Sequence, residues 1–145
     1  MPRSLSNIVW DNKLVHISGG YEKATVLDAV LTPVGKQNYR AEGLIKKVSC
    51  PAFEGKTMCA TLEMWVFNET GFGRWQSEQM PPTGVFGWVR IPPTLGKSID
   101  FVFQNFDYNG QYHFIFFAVD NQHLLEMIGQ HIEAGISLTE TWTEP

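Results

Sequence analysis

The chain has 145 residues, 43% of them hydrophobic and 13% aromatic, with a formal net charge of −4. That is the size of one domain with enough apolar surface for a core, and no apolar run reaches the length of about 18 residues that suggests a transmembrane helix. The only basic doublet is Lys46-Lys47, which excludes the clustered cationic footprint of a nucleic-acid binder. The opening MPRSLS lacks the apolar core of a secretory leader, so a cytoplasmic protein without membrane association is expected.

Strand-like runs cut by turn signals follow one another along the chain. Residues 8–10, the trio Asp11-Asn12-Lys13 and residues 14–17 read as a short hairpin, ended by Ser18-Gly19-Gly20. Residues 24–32 carry Val26, Leu27, Val30 and Leu31 and fit a strand, with a helix as the alternative. Residues 33–38 read as a turn and 39–49 as a strand with one solvated face. Cys50 and Cys59 bracket PAFEGKTM; Pro51 sits badly in a hairpin that would join them, and reduced structural thiols are expected. The stretch TMCATLEMWVF, residues 57–67, reads as a strand with Leu62, Met64 and Val66 on one face and Glu63, Trp65 and Phe67 on the other.

A punctuated stretch follows. Residues 68–73 read as a turn, and Gly71 and Gly73 in GFGRW as turn glycines, because neither a phosphate loop nor a dinucleotide fingerprint is completed. The segment 71–82 is then a long loop carrying Phe72, Arg74, Trp75 and Met80, either a lid or an interaction anchor. Residues 85–91 form a strand framed by Pro81-Pro82 and Pro92-Pro93, since proline cannot donate to a central ladder.

Asn109-Gly110 is the strongest local turn signal, because both residues tolerate positive φ. A two-residue hairpin pairs Tyr108 with Gln111, Phe106 with His113 and Gln104 with Ile115, placing Tyr108, Phe106, His113 and Gln104 on one face. Toward its base this hairpin is apolar on both faces, as a strand between two layers would be. Residues 121–134 fit a one-faced helix capped by Asp120 or Asn121 and stopped by Gly135, with Leu124, Leu125, Ile128 and Ile132 on its apolar side. Residues 136–142, ISLTETW, close the chain as a strand in which Ile136 and Leu138 alternate with polar residues.

The expected architecture is therefore a single mainly β domain over residues 1–145. It is an antiparallel β-barrel or a two-sheet sandwich, with one helix over about 121–134 and a final strand. The strand and helix order resembles that of lipocalin-like barrels at the level of fold alone.

No nucleophile elbow, metal set or cofactor motif is complete, so no cofactor or metal is expected and catalysis is left open. The candidate ligand-binding residues are His113, Tyr108, Gln104 and Phe106 on the hairpin face, and Arg74 and Trp75 in the 71–82 loop. Polar groups amid aromatics fit a site for a small apolar or aromatic ligand, worked by shape and a few hydrogen bonds as in a cyclase or isomerase. A second reading is an acidic interaction module of the immunity or inhibitor type with a protein partner. No Lys or Arg follows Lys97, while Asp100, Asp107, Asp120, Glu126, Glu133, Glu140 and Glu144 do. A third is a structural or virion subunit that pairs through strand edges. Oligomeric state is open.

Overall fold

The computed structural model describes residues 3–17, 25–49, 62–78, 85–91, 98–104, 106, 108–118 and 132–144. Eight strands and one helix follow in order: β1 (Arg3–Ile17), β2 (Thr25–Leu31), β3 (Gln37–Ser49), β4 (Leu62–Asn68), α1 (Glu69–Glu78), β5 (Val85–Ile91), β6 (Ile99–Phe103), β7 (Gly110–Ala118) and β8 (Ile132–Glu144). They form two four-stranded antiparallel sheets, sheet A in the order β1-β8-β3-β6 and sheet B in the order β2-β7-β4-β5. Each sheet keeps two free edges, so the described strands make a sandwich and not a closed barrel.

Both orders follow from one scheme. β1 pairs with β8, β2 with β7, β3 with β6 and β4 with β5, all antiparallel. The chain thus behaves as one long hairpin with α1 at its tip, wound so that alternate pairs fall in alternate sheets. The β3–β8 and β4–β7 ladders then close each sheet. This is the strand order of a jelly roll, two Greek keys in two sheets.

Period-two alternation sets the core. Trp10, Val15 and Ile17 of β1, Leu31 of β2, Ala41 and Ile45 of β3, and Ile136 and Leu138 of β8 are buried between the sheets. They meet Leu62, Met64 and Val66 of β4 and Tyr112, Phe114 and Phe116 of β7. The Trp10 and Phe114 rings meet edge to face across the gap, 4.9 Å between centroids, and Phe103 lies 6.5 Å from Phe114. Burying each such ring stabilises the fold by about 1.5–3 kcal/mol. The far face of sheet B is covered as well. Trp65, Phe67 and Ile115 form a second cluster with Val26 and with Phe72 of α1. Residues 112–116 are consecutively buried, as the non-alternating pattern of that strand requires.

Several expectations are corrected. The hairpin about Asn109-Gly110 does not exist as a strand pair, because β6 lies in sheet A against β3 and β7 lies in sheet B between β2 and β4. Asn109 instead accepts a hydrogen bond from the Val34 backbone at 2.9 Å. The short hairpin over residues 8–17 is one continuous strand. Its turn-like trio is absorbed as register shifts between Ile8 and Trp10 and between Trp10 and Lys13, with Asn12 at φ 50°.

The turn at 68–73 is the start of α1, where Asn68 Oδ1 caps the helix by accepting the Gly71 N–H at 2.6 Å. The helix over 121–134 lies outside the described residues up to 131, and its last part is strand. Ala134, Ile136 and Leu138 alternate into the core, and Gly135 lies under the Asn12 side chain rather than stopping a helix. Cys50, Cys59 and residues 57–61 also lie outside the described residues. No helix among the described residues is long and apolar enough to cross a membrane.

Candidate functional site

The end of the sandwich where β1, β3 and β8 run together carries the densest side-chain chemistry. Alternation along β8 turns Ala134, Ile136 and Leu138 inward, and it turns Glu140 inward with them, 1% exposed. A buried carboxylate must be hydrogen-bonded. Glu140 Oε1 accepts from Asn7 Nδ2 of β1 at 3.1 Å. Its Oε2 accepts from the Thr32 N–H and Thr32 Oγ1, both at 3.1 Å, and from Tyr39 OH of β3 at 2.6 Å. Burial alone would raise Glu140, but these donors outweigh it and hold the carboxyl below its usual range. Burial first, then the bond to Glu140, push the Tyr39 phenol far up, so it is a permanent donor.

Lys36 extends the network. The turn after β2 is closed by Lys36 N–H to Pro33 O at 3.1 Å and made by Gly35 at φ 80°, which only glycine takes easily. Lys36 Nζ donates to Thr32 Oγ1 at 2.6 Å and stands 4.1 Å from the centre of the Trp142 ring.

On the opposite face of the same three strands lies a cleft of about 300 Å³. Its walls are Ser4 and Ser6 of β1, Asn38, Arg40 and Glu42 of β3, and Thr141 and Thr143 of β8, with Leu5 and Trp142 completing it. The pairing explains the assembly: Ser6 lies directly opposite Thr141, and Arg40 opposite Thr141 on the other side. Asn38 Nδ2 donates to Thr143 Oγ1 at 2.9 Å. Thr141 Oγ1 is shut from solvent and has no hydrogen-bond partner among the described residues. Each cleft residue is one position away from, or on the same short strand segment as, a member of the Glu140 network. The Glu140 network therefore lies directly behind the cleft.

The residues singled out from the sequence do not come together. Tyr108 and Phe106 pack on Tyr112, at 5.3 Å and 5.0 Å between ring centroids, toward the inter-sheet core. His113 is on the other face of β7. Gln104 is exposed beyond the end of β6. Arg74 and Trp75 lie on α1. The single-face grouping depended on the hairpin register and disappears with it.

His113 is nevertheless in a built environment. Its Nδ1 lies 2.6 Å from Asp28 Oδ1 of β2, its Nε2 lies 2.7 Å from Glu69 Oε1 of α1, and Phe72 stacks on the ring at 4.0 Å. Both contacts are hydrogen bonds only when each ring nitrogen carries a hydrogen. With a carboxylate at each ring nitrogen and Phe72 stacked on one face, His113 ties α1 to sheet B. Replacing His113 by alanine is expected to raise hydrogen exchange in α1 by about tenfold, with the inter-sheet strands unchanged. Because Asp28 and Glu69 are half exposed, solvent screens both contacts and the loss is local to α1 rather than spread over the fold. Equal exchange in variant and parent would show that Phe72 and the cap hold α1 without it.

Sequence reasoning missed Glu140, Tyr39, Asn7 and the cleft residues, although position 140 shares the parity of Ile136 and Leu138. Compared with known proteins, the jelly-roll chain matches no protein-family model and no curated sequence.

Proposed function

We propose that the protein is a binding module that takes a small polar, hydroxyl-rich ligand in the cleft of sheet A. The observation that carries this reading is the cleft itself, at the small end of the size range of ligand sites. Hydroxyl, amide, guanidinium and carboxylate groups from three strands converge on it over a floor braced by Glu140. A ligand between the sheets is less favoured, because the Trp10, Phe103 and Phe114 rings occupy that space. The expected small-molecule binding is thus retained, with the site moved to the outer face and the ligand polar rather than aromatic. Sugar-binding domains also use jelly rolls, an analogy of fold only.

The test is a screen of saccharides and other polar metabolites against isotopically labelled protein by NMR. Saturable shifts at Ser6, Arg40 and Thr141 are expected, weakened at least about tenfold by Arg40→Ala. Shifts centred on His113 and α1, or none across the library, would remove the reading.

A second reading, a self-assembling structural subunit, is favoured by one observation. β1 is a 15-residue free edge that exposes Ile8 (66%) and Leu14 (54%). The acidic-partner reading draws less support, since Glu140 is buried and Glu144 pairs with Arg3 at 2.9 Å.

A further inference from the structure

Ser4, Leu5 and Ser6 of β1 form one wall of the cleft, and few contacts among the described residues hold their segment, residues 3–8. Arg3, Ser4, Ser6, Asn7 and Ile8 are exposed, and among the described strands only β8 pairs with them. Register shifts on either side of Trp10, with Asn12 at φ 50°, separate this segment from Val15 and Ile17, which are anchored in the core. Bulges of this kind are places where a strand bends. Beyond the backbone ladder, two side-chain contacts among the described residues join the segment to β8. Arg3 meets Glu144 on the surface, where an ion pair contributes little. Asn7 Nδ2 donates to the buried Glu140 carboxylate.

We propose that Glu140 is the positioning residue of the cleft. While its carboxylate is ionised, the wall of residues 3–8 stays docked; when the charge is neutralised or removed, that wall swings out about the bulges. Acid therefore opens the site. This rests on the reading of the cleft as a binding site.

The chemistry is directional. Ionised, Glu140 is acceptor-only and satisfies four donors from β1, β3 and the β2–β3 turn. Oε2 already takes three of them, so an added proton goes to Oε1. There it faces the Asn7 amide donor, and that contact must break or turn over. The groups that face Glu140 are Tyr39 from β3, with Tyr112 of β7 beside it, and Lys36 through Thr32. None of these sits on β1, so Asn7 is the weak link in the ring of donors. Opening also gives water to Thr141 Oγ1, which lies directly across from Ser6 and lacks a partner among the described residues.

Amide hydrogen exchange resolved by residue tests this, corrected for the pH dependence of the intrinsic rate. In the parent, protection of the ladder amides in residues 4–8 should fall about tenfold relative to Met64 and Phe114 as the pH drops below the ordinary carboxylate range. Glu140→Gln should show that loss already at neutral pH. Tyr39→Phe removes only the shortest bond and should move the transition to higher pH. Unchanged protection of residues 4–8 in Glu140→Gln, or a loss in step with Met64 and Phe114, overturns the proposal. If Glu140→Gln fails to fold, an unshifted transition in Tyr39→Phe overturns it. No ligand enters this experiment, so its failure leaves a rigid cleft, whereas an empty ligand screen leaves the hinge intact.

Discussion

Glu140→Ala is expected to lower the unfolding free energy by about 3–4 kcal/mol at neutral pH. The removed carboxylate leaves Tyr39 OH and both Thr32 donors without their acceptor, while the exposed Asn7 amide can turn to water. Each buried donor left unsatisfied costs about 1–3 kcal/mol, and relief from burying a charge returns part of the sum. The effect has a pH signature. Because the folded carboxyl lies below its unfolded value of about 4.3, its stabilisation is fully present above that value. It is lost as the pH falls through the lower folded value. The parent should therefore lose stability on acidification over that window, and Glu140→Ala should lose less. Urea unfolding between neutral pH and pH about 3 measures both. Parallel acid limbs in the two proteins would sink the assignment.

Gly43→Ala should be at least as damaging, for a reason of space. A Cβ at Gly43 would run into the Ser137 carbonyl oxygen and stand 2.5 Å from Phe101 Cζ. The Phe101 ring can turn, but the carbonyl belongs to β8, and β3 is held between β8 and β6. Neither backbone can move without breaking a ladder. A loss of about 3 kcal/mol or more is expected, seen as a fall in thermal midpoint of more than about 6 °C or as failure to fold. Gly73→Ala is the matched control. Nothing lies within 4 Å of its would-be Cβ, and the residue is inside α1, so a gain of about 0.5–1 kcal/mol is expected. If both substitutions moved stability the same way, the close approach at Gly43 would not be the cause.

Much of the strand content was legible, because alternation is local. Leu62, Met64 and Val66 do face away from Trp65 and Phe67, and the stretch after Gly110 is buried on both sides as its unbroken apolarity implied. What failed was pairing. Asn109-Gly110 argues for a hairpin between its own neighbours, but both flanking strands find larger apolar partners far away in sequence. β6 lies on β3, and β7 lies between β2 and β4.

α1 was hidden by Gly71 and Gly73, which weaken helix propensity. Its signal was Asn68 followed by an acidic residue, a cap that packing of Phe72 on His113 completes. At the site, His113 was legible as a polar group among aromatics, but its partners Asp28 and Glu69 come from other elements. Glu140 was the avoidable miss. Acidic by charge, it stands in the apolar register of Ile136 and Leu138, where a carboxylate needs hydrogen-bond partners.

The nested pairing also constrains how the molecule is made. β8 runs between β1 and β3, so sheet A stays split into β1 and the β3–β6 pair until β8 has left the ribosome. Until then, β1 has no ladder partner in its sheet, while β4 and β5 at the tip can already pair. Closure outward from that tip, with the longest loops last, is the order expected from loop entropy, and with it slow folding for a chain of this size. A nascent chain stalled before residue 132 would hold sheet B nearly whole and β1 unpaired.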